Sequence, residues 1–196
     1  MADNDRQRII EQLQSAVTTI ENCPEIVPLV PEVRINIVYA LPDAKTPADV
    51  AAVDGRITVV AGRPKAAGPV CFGASDHLAR LILELRRFQP AFHSTLNFRW
   101  NEQIYKTVAH WAEKQQKIIG VIDRTKEPSE IIGQDRKSIP WKVKELLAAT
   151  NGIVPEIAYE TKGWGKEPLF ILIGEEPKTI VARLIEIARL HTQLTD

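Results

Sequence analysis

"PLFILIGEEPKTIVARLIEIARLH" (residues 168–191) holds the two elements on which the fold turns. Its first seven residues, 168–174, are apolar on both faces of a would-be strand. Successive strand side chains leave on opposite faces of a sheet. An unbroken apolar run therefore needs cover on both sides, which predicts a central strand. Pro177 suits the first turn of a helix, and the helix predicted from it runs to about His191.

Five more strands are read upstream from β-branched and aromatic content: "RINIVYAL" (34–41), "RITVVAG" (56–62), "STLNFRW" (94–100), "KIIGVID" (117–123) and "IVPEIAYE" (153–160). Between them lie helical patterns. Leu78, Leu81, Ile82, Leu85 and Phe88 mark one, begun by Ser75 or Asp76 as N-cap. Ile104, Val108 and Trp111 mark a second over 101–115, and Ser138 opens a third that Asn151-Gly152 stops. "GRPKAAGP" (62–69) reads as a loop. Strands and helices intermix without strict βαβ alternation. The expectation is a layered α/β domain with a mixed sheet and helices on both faces.

A chain of 196 residues with 44% hydrophobic and 26% charged side chains is the size and make-up of one globular domain. Residues 5–21 form an amphipathic helix with Ile9, Leu13, Ala16, Val17 and Ile20 on one stripe, and Pro24, Pro28 and Pro31 follow. Residues 1–24 read as a separate helical arm and 25–196 as the globular part. The arm's apolar stripe wants a partner, which predicts a homodimer.

Acidic and basic residues balance at 25 each, which disfavours general binding to nucleic acid or to a membrane surface. "MADNDRQR" has no apolar signal region, and no segment approaches the ~18 apolar residues of a membrane span. A cytoplasmic location is expected. Cys23 and Cys71 have no metal-ligand spacing and read as two reduced thiols.

Several places carry chemistry. "CFGASDHLAR" (71–80) puts Gly73, Ala74 and Ser75 ahead of a helix and His77 in its first turn. Small residues before a helix N-terminus let an anion approach its unpaired amides. The same residues also suit an ordinary helix start. Arg56, after Asp54-Gly55, is either an exposed arginine behind a turn or a guanidinium aimed into a cleft for bidentate phosphate contact. Asn97 and Arg99 share a strand face, and Asp123-Arg124 ends a strand, where functional groups gather in open α/β sheets. In "KGWGKEP" (162–168), Gly163 and Gly165 allow close approach of backbone to ligand. Lys166 is a candidate phosphate contact, and Glu167 could hold it in place or bind a cation. The sequence lacks GxxxxGK[ST], a GxGxxG opening a helix, a GxSxG elbow and zinc-spaced histidines. No metal ligands are assigned.

"LPDAKTPADVAAVDGRI", "FGASDHLAR", "LNFRW", "IDR" and "GWGKEPLFILIG" occur in the order found in the archaeal-type thiamine-phosphate synthase family, ThiN. The resemblance covers about residues 25–190, and the chain looks like the stand-alone form. It implies a three-layer α/β/α fold with a mixed sheet, similar to class II aldolases. It also implies condensation of hydroxymethylpyrimidine diphosphate with hydroxyethylthiazole phosphate, releasing pyrophosphate. In the family the Arg after the Gly of "GRI" and the His of "GAS-x-H" are functionally required; here these are Arg56 and His77. On this reading Lys166 meets the thiazole phosphate, Asn97 and Asp123 meet the pyrimidine edge, and Mg²⁺ would help neutralise the diphosphate. The rival is a thiamine-phosphate-binding sensor domain. Three positions depart from the family pattern: Asp76 where Ser is common, Lys142 where a small residue follows the Trp, and Glu160 in place of Asp.

Overall fold

The structure, a computed structural model, describes residues 2–163 and 165–195, so the tryptophan of the "GWGKEP" loop lies outside it. Along the chain run α1 (Ala2–Glu21), β1 (Ile37–Ala40), β2 (Val50–Val53), β3 (Ile57–Val60), β4 (Arg63–Ala66) and β5 (Val70–Phe72). They are followed by α2 (His77–Leu85), β6 (Ser94–Arg99), α3 (Glu102–Lys114), β7 (Ile119–Ile122), α4 (Asp135–Ala149), β8 (Ile157–Glu160), β9 (Leu169–Gly174) and α5 (Pro177–Thr195). Seven of these strands make one sheet in the order β5-β2-β1-β6-β9-β8-β7. All its pairs are antiparallel except β7 with β8, so the sheet is mixed.

Alternation along the strands sorts the core into two halves. Ile37, Tyr39, Ala51, Val53, Leu96, Phe98, Phe170 and Leu172 face α1, α3 and α5. Their neighbours Val38, Ala40, Val50, Ala52, Ile171 and Ile173 face α2 and α4. This is the three-layer α/β/α arrangement. β9 sits inside the sheet between β6 and β8, buried on both faces as its composition requires. The Phe98 and Phe170 rings stack across β6 and β9 with centroids 4.9 Å apart.

α1 is no separate arm. Ile9, Leu13, Ala16, Val17 and Ile20 belong to the same buried cluster as α3 and α5. The helix packs on α5 and on β1, β2, β4 and β5. Its apolar stripe is thus covered within the chain, so α1 supplies no reason for a second copy.

The 62–69 segment is also more ordered than a loop. Arg63–Ala66 pairs antiparallel with Ile57–Val60 as a two-stranded ribbon. β2 joins the main sheet beside β1, and β5 pairs with β2 at its edge. α4 starts three residues before Ser138, whose hydroxyl meets Glu127 instead of capping the helix. Among the described residues no helix is long and apolar enough to cross a membrane.

Candidate active site

The strand ends position the site. At the end of the sheet where β1 and β9 begin and β6, β7 and β8 finish, a cavity of about 520 Å³ opens between the sheet, α2 and α4. Its wall takes Glu32, Val33 and Asn36 ahead of β1, Arg56 after β2, and Ala74, Ser75, Asp76, His77 and Leu78 at the start of α2. Asn97, Arg124, Lys142, Glu160, Gly165, Lys166, Glu167, Leu169 and Ile171 complete it.

Three loops knit the mouth together. Arg56 stands in the left-handed region at φ 69°, after Gly55 at 71°. The amide of Arg56 closes a tight turn on Val53 O at 3.3 Å. This uncommon backbone turns its side chain toward the 31–34 loop, where Nη1 donates to Val33 O at 2.6 Å. From the other side Glu167 Oε1 accepts the Val33 amide at 2.7 Å. Lys166 sits in a turn closed by its own amide on Gly163 O, 3.2 Å, and Gly165 takes φ 64° there.

Beneath the mouth lies a buried cluster of charges. Lys142, on α4, is 1% exposed, and its Nζ sits 2.6 Å from Glu160 Oε2 and 3.4 Å from His77 Nε2. Arg124 Nη1 is 3.6 Å from the same Glu160 oxygen. The Arg124 guanidinium also donates through Nε and Nη2 to Glu127 Oε2, at 3.1 and 2.7 Å, and the Ser138 hydroxyl meets the other Glu127 oxygen. Each buried ion is therefore met by an opposite charge or a hydrogen bond, the condition under which buried charge is tolerated. Burial pulls the Lys142 ammonium below the usual lysine range against the upward pull of Glu160. Burial would raise the Glu160 carboxyl, but the Lys142 ammonium outweighs it, with Arg124 adding to the pull, and holds the group below the usual glutamate range.

Of the residues singled out in the sequence, Arg56, Ala74, Ser75, His77, Asn97, Gly165, Lys166 and Glu167 line this one cavity. Four others do not. Gly73 lies outside the wall, with its amide donating to Val50 O at 3.0 Å in the β2–β5 edge. Arg99 shares the strand face of Asn97 but sits opposite Leu169, beyond the wall. Asp123 turns away to cap the next turn, accepting from the Thr125 amide at 3.1 Å and hydroxyl at 2.6 Å. Gly163 stands behind the wall, where a Cβ would come within 2.8 Å of Arg124 Cζ. A side chain at 163 would force the loop or the guanidinium to shift.

Two expected roles change in detail. Asn97 accepts the Asn36 amide at 2.8 Å and donates to Arg34 O at 3.0 Å. Only one of its N–H groups remains for a ligand. Asp76 leads α2 without a side-chain cap and instead holds Arg80 through two bonds of 2.7 and 2.8 Å. Asn36 is a wall residue that the sequence did not single out, while Arg124 entered only beside Asp123 at a strand end and Lys142 and Glu160 only as departures from the family pattern.

A sequence profile of the family described as thiamine-phosphate synthase ThiN matches residues 12–186. The chain belongs to the ThiN family. It is an enzyme of the transferase class in thiamine biosynthesis. It is 35% identical to a thiamine-phosphate synthase ThiN of Methanothermobacter thermautotrophicus, over 94% of this chain and 95% of that one. It is 28% identical to a bifunctional thiamine biosynthesis protein ThiDN of Methanocaldococcus jannaschii, over 97% of this chain and 43% of that one. The solved C-terminal domain of a phosphomethylpyrimidine kinase matches with TM-score 0.85 and 36% identity, over 92% of this chain and 98% of that domain. A sugar-phosphate aldolase from Thermotoga maritima, 11% identical, matches with TM-score 0.51 over 94% of this chain and 95% of that one, a likeness of fold alone.

The ThiN site's donor set bears on metal. Among the described residues no three His, Cys, Asp or Glu side chains are grouped to hold an ion. Three of the four wall carboxylates are engaged, Glu160 by Lys142, Glu167 by the Val33 amide and Asp76 by Arg80, and the fourth is Glu32. They do not fit a resident Mg²⁺.

Proposed function

We propose that this ThiN protein condenses hydroxymethylpyrimidine diphosphate with hydroxyethylthiazole phosphate and releases pyrophosphate. One observation carries the reading: Arg56, His77 and Lys166, drawn from three distant stretches of chain, line a single cavity. An arginine fork and an ammonium are suited to two phosphorylated substrates.

The bond that breaks joins the pyrimidine methylene carbon to a diphosphate oxygen. The ring's amino group feeds electron density to that carbon, and the C–O pair leaves with pyrophosphate. The thiazole nitrogen forms the new C–N bond. No protein nucleophile is required, so the protein's part is positioning and charge stabilisation. Arg56 and the opening amides of α2, whose first helical bond is Arg80 N to Asp76 O at 2.9 Å, would receive the departing pyrophosphate. His77 would hydrogen-bond one of its oxygens, and Lys166 would hold the thiazole phosphate. The apolar side chains of Leu78, Leu169 and Ile171 offer contact for the rings.

The test is turnover of the two substrates with Mg²⁺, following thiamine phosphate and pyrophosphate, beside His77→Ala. Product from the native protein and its loss in the variant supports the synthase. Tight binding of thiamine phosphate without turnover would instead make this a sensor.

A further inference from the structure

The contact between Lys142 and His77 has a chemical consequence. A lysine ammonium has three N–H donors and no acceptor. One donor goes to Glu160 Oε2 at 2.6 Å, and Nζ is 3.4 Å from His77 Nε2. Glu160 at 2.6 Å favours the ammonium form of Lys142, and an imidazole nitrogen hydrogen-bonded to an ammonium offers its lone pair. Which ring nitrogen carries the proton is set by the bond the other one makes.

We infer that Lys142 is a positioning residue that fixes the tautomer of His77: Nε2 accepts from Nζ, and the imidazole proton resides on Nδ1. His77 then meets a substrate oxygen as a neutral Nδ1–H donor. The inference rests on the proposed synthase reading for what His77 does, but not for which tautomer it holds. The surroundings support it. The charges acting on Lys142 are Glu160 from β8, Arg124 after β7 and Lys166 from the 162–168 loop, with His77 from α2 in contact at 3.4 Å. Glu160, with Arg124 3.6 Å from the oxygen that Lys142 meets, anchors the ammonium from behind. Lys142 is on a helix and 1% exposed, so its head group cannot swing out to water and release the imidazole.

The experiment is ¹⁵N–¹H correlation of the histidine side chains in the full-length protein at neutral pH, with His77 assigned by loss of its signals in His77→Gln. The expected result is a pyrrole-like Nδ1 and a pyridine-like Nε2. A proton on Nε2, or on both nitrogens, overturns the inference. The second arm is the double variant Lys142→Met/Glu160→Gln, which removes both charges together and so leaves no unpaired buried ion. It should fold, let His77 change to the Nε2–H tautomer, and lower kcat about 10²-fold with KM little changed, as expected for a misplaced catalytic group. An unchanged tautomer and kcat in the folded double variant also overturns it. If the native protein shows the Nδ1–H tautomer but forms no thiamine phosphate, the synthase reading fails and the tautomer assignment stands.

Discussion

Oε1 of Glu167 accepts the amide of Val33 at 2.7 Å, although 134 residues of chain separate the two. This bond ties the loop carrying Lys166 to the loop that Arg56 grips from the other side. Glu167→Ala should leave stability nearly unchanged, since the bond is exposed. It should lower kcat/KM about tenfold, equivalent to ~1.4 kcal/mol, the strength of one bond to a charged group. Steady-state kinetics decide it; unaltered kcat/KM would show that the mouth holds its shape without the clamp.

Arg56 separates backbone from side chain. Arg56→Ala and Arg56→Gly both remove the guanidinium and should each reduce kcat by ~10² or more if it stabilises developing charge. Their stabilities should differ. At φ 69° an alanine keeps the left-handed penalty of ~1–2 kcal/mol and a glycine does not, so the glycine variant should be the more stable in urea. Arg56→Lys keeps charge but loses the planar fork, and its kcat should fall short of native.

Acid should expose the buried pair. The folded value of Glu160 lies below the ordinary 4.5, so its contribution to stability is complete above pH 4.5 and is lost as pH falls through the folded value. Urea midpoints taken from pH 6 downward should therefore decline more steeply for the native protein than for Glu160→Gln. At neutral pH the single Glu160→Gln change leaves the Lys142 charge without its carboxylate and should cost ~3–5 kcal/mol. A flat native profile would contradict the assigned pairing.

The α1 packing is tested by Leu13→Ala. Leu13 is fully buried between the sheet and α5. Its truncation should cost ~2–5 kcal/mol, as for any core leucine. A near-zero cost in urea unfolding would return α1 to the status of an appendage.

Gly163→Ala probes the loop over Arg124. The added methyl would sit 2.8 Å from Cζ and 2.9 Å from Nε of a guanidinium that is itself fixed by Glu127. Either the loop or Arg124 must shift. A loss of kcat/KM larger than that of Gly165→Ala is expected, because a Cβ at 165 meets nothing within 4 Å, though its φ of 64° carries its own strain. Equal kinetics would show that Arg124 yields without consequence.

Most of the layered fold was legible in the sequence because its helices and longer strands carry clear periodicity. β9 announced its central place by lacking alternation, and Ile9 to Ile20 announced the buried face of α1. The partner of that face could not be read, since a stripe shows only that cover is needed. β4 was missed because "RPKA" has a proline and two cations, tolerable on an exposed ribbon that pairs with one neighbour. β2, "VAAV", is buried throughout and too short to show a period. In the site, residue type and setting left Arg56 and His77 open between an ordinary and a functional reading, and the family resemblance singled them out. Lys142 and Glu160 were marked only as departures from the family pattern, because nothing in a helix or strand pattern says that a charged residue points inward toward its opposite.

The cavity wall reaches from residue 32 to residue 171 and draws on α2, β6, α4, β8, β9 and the loops between elements. No contiguous fragment contains it, so a ligand recognises only the completed molecule. By mass action, occupancy weighs on the whole unfolding equilibrium: a ligand at a hundred times its Kd adds about 2.7 kcal/mol. On the proposed function, heat resistance in crude extract would then rise with the supply of phosphorylated substrates, and the population surviving proteolysis would follow that supply without a separate regulator.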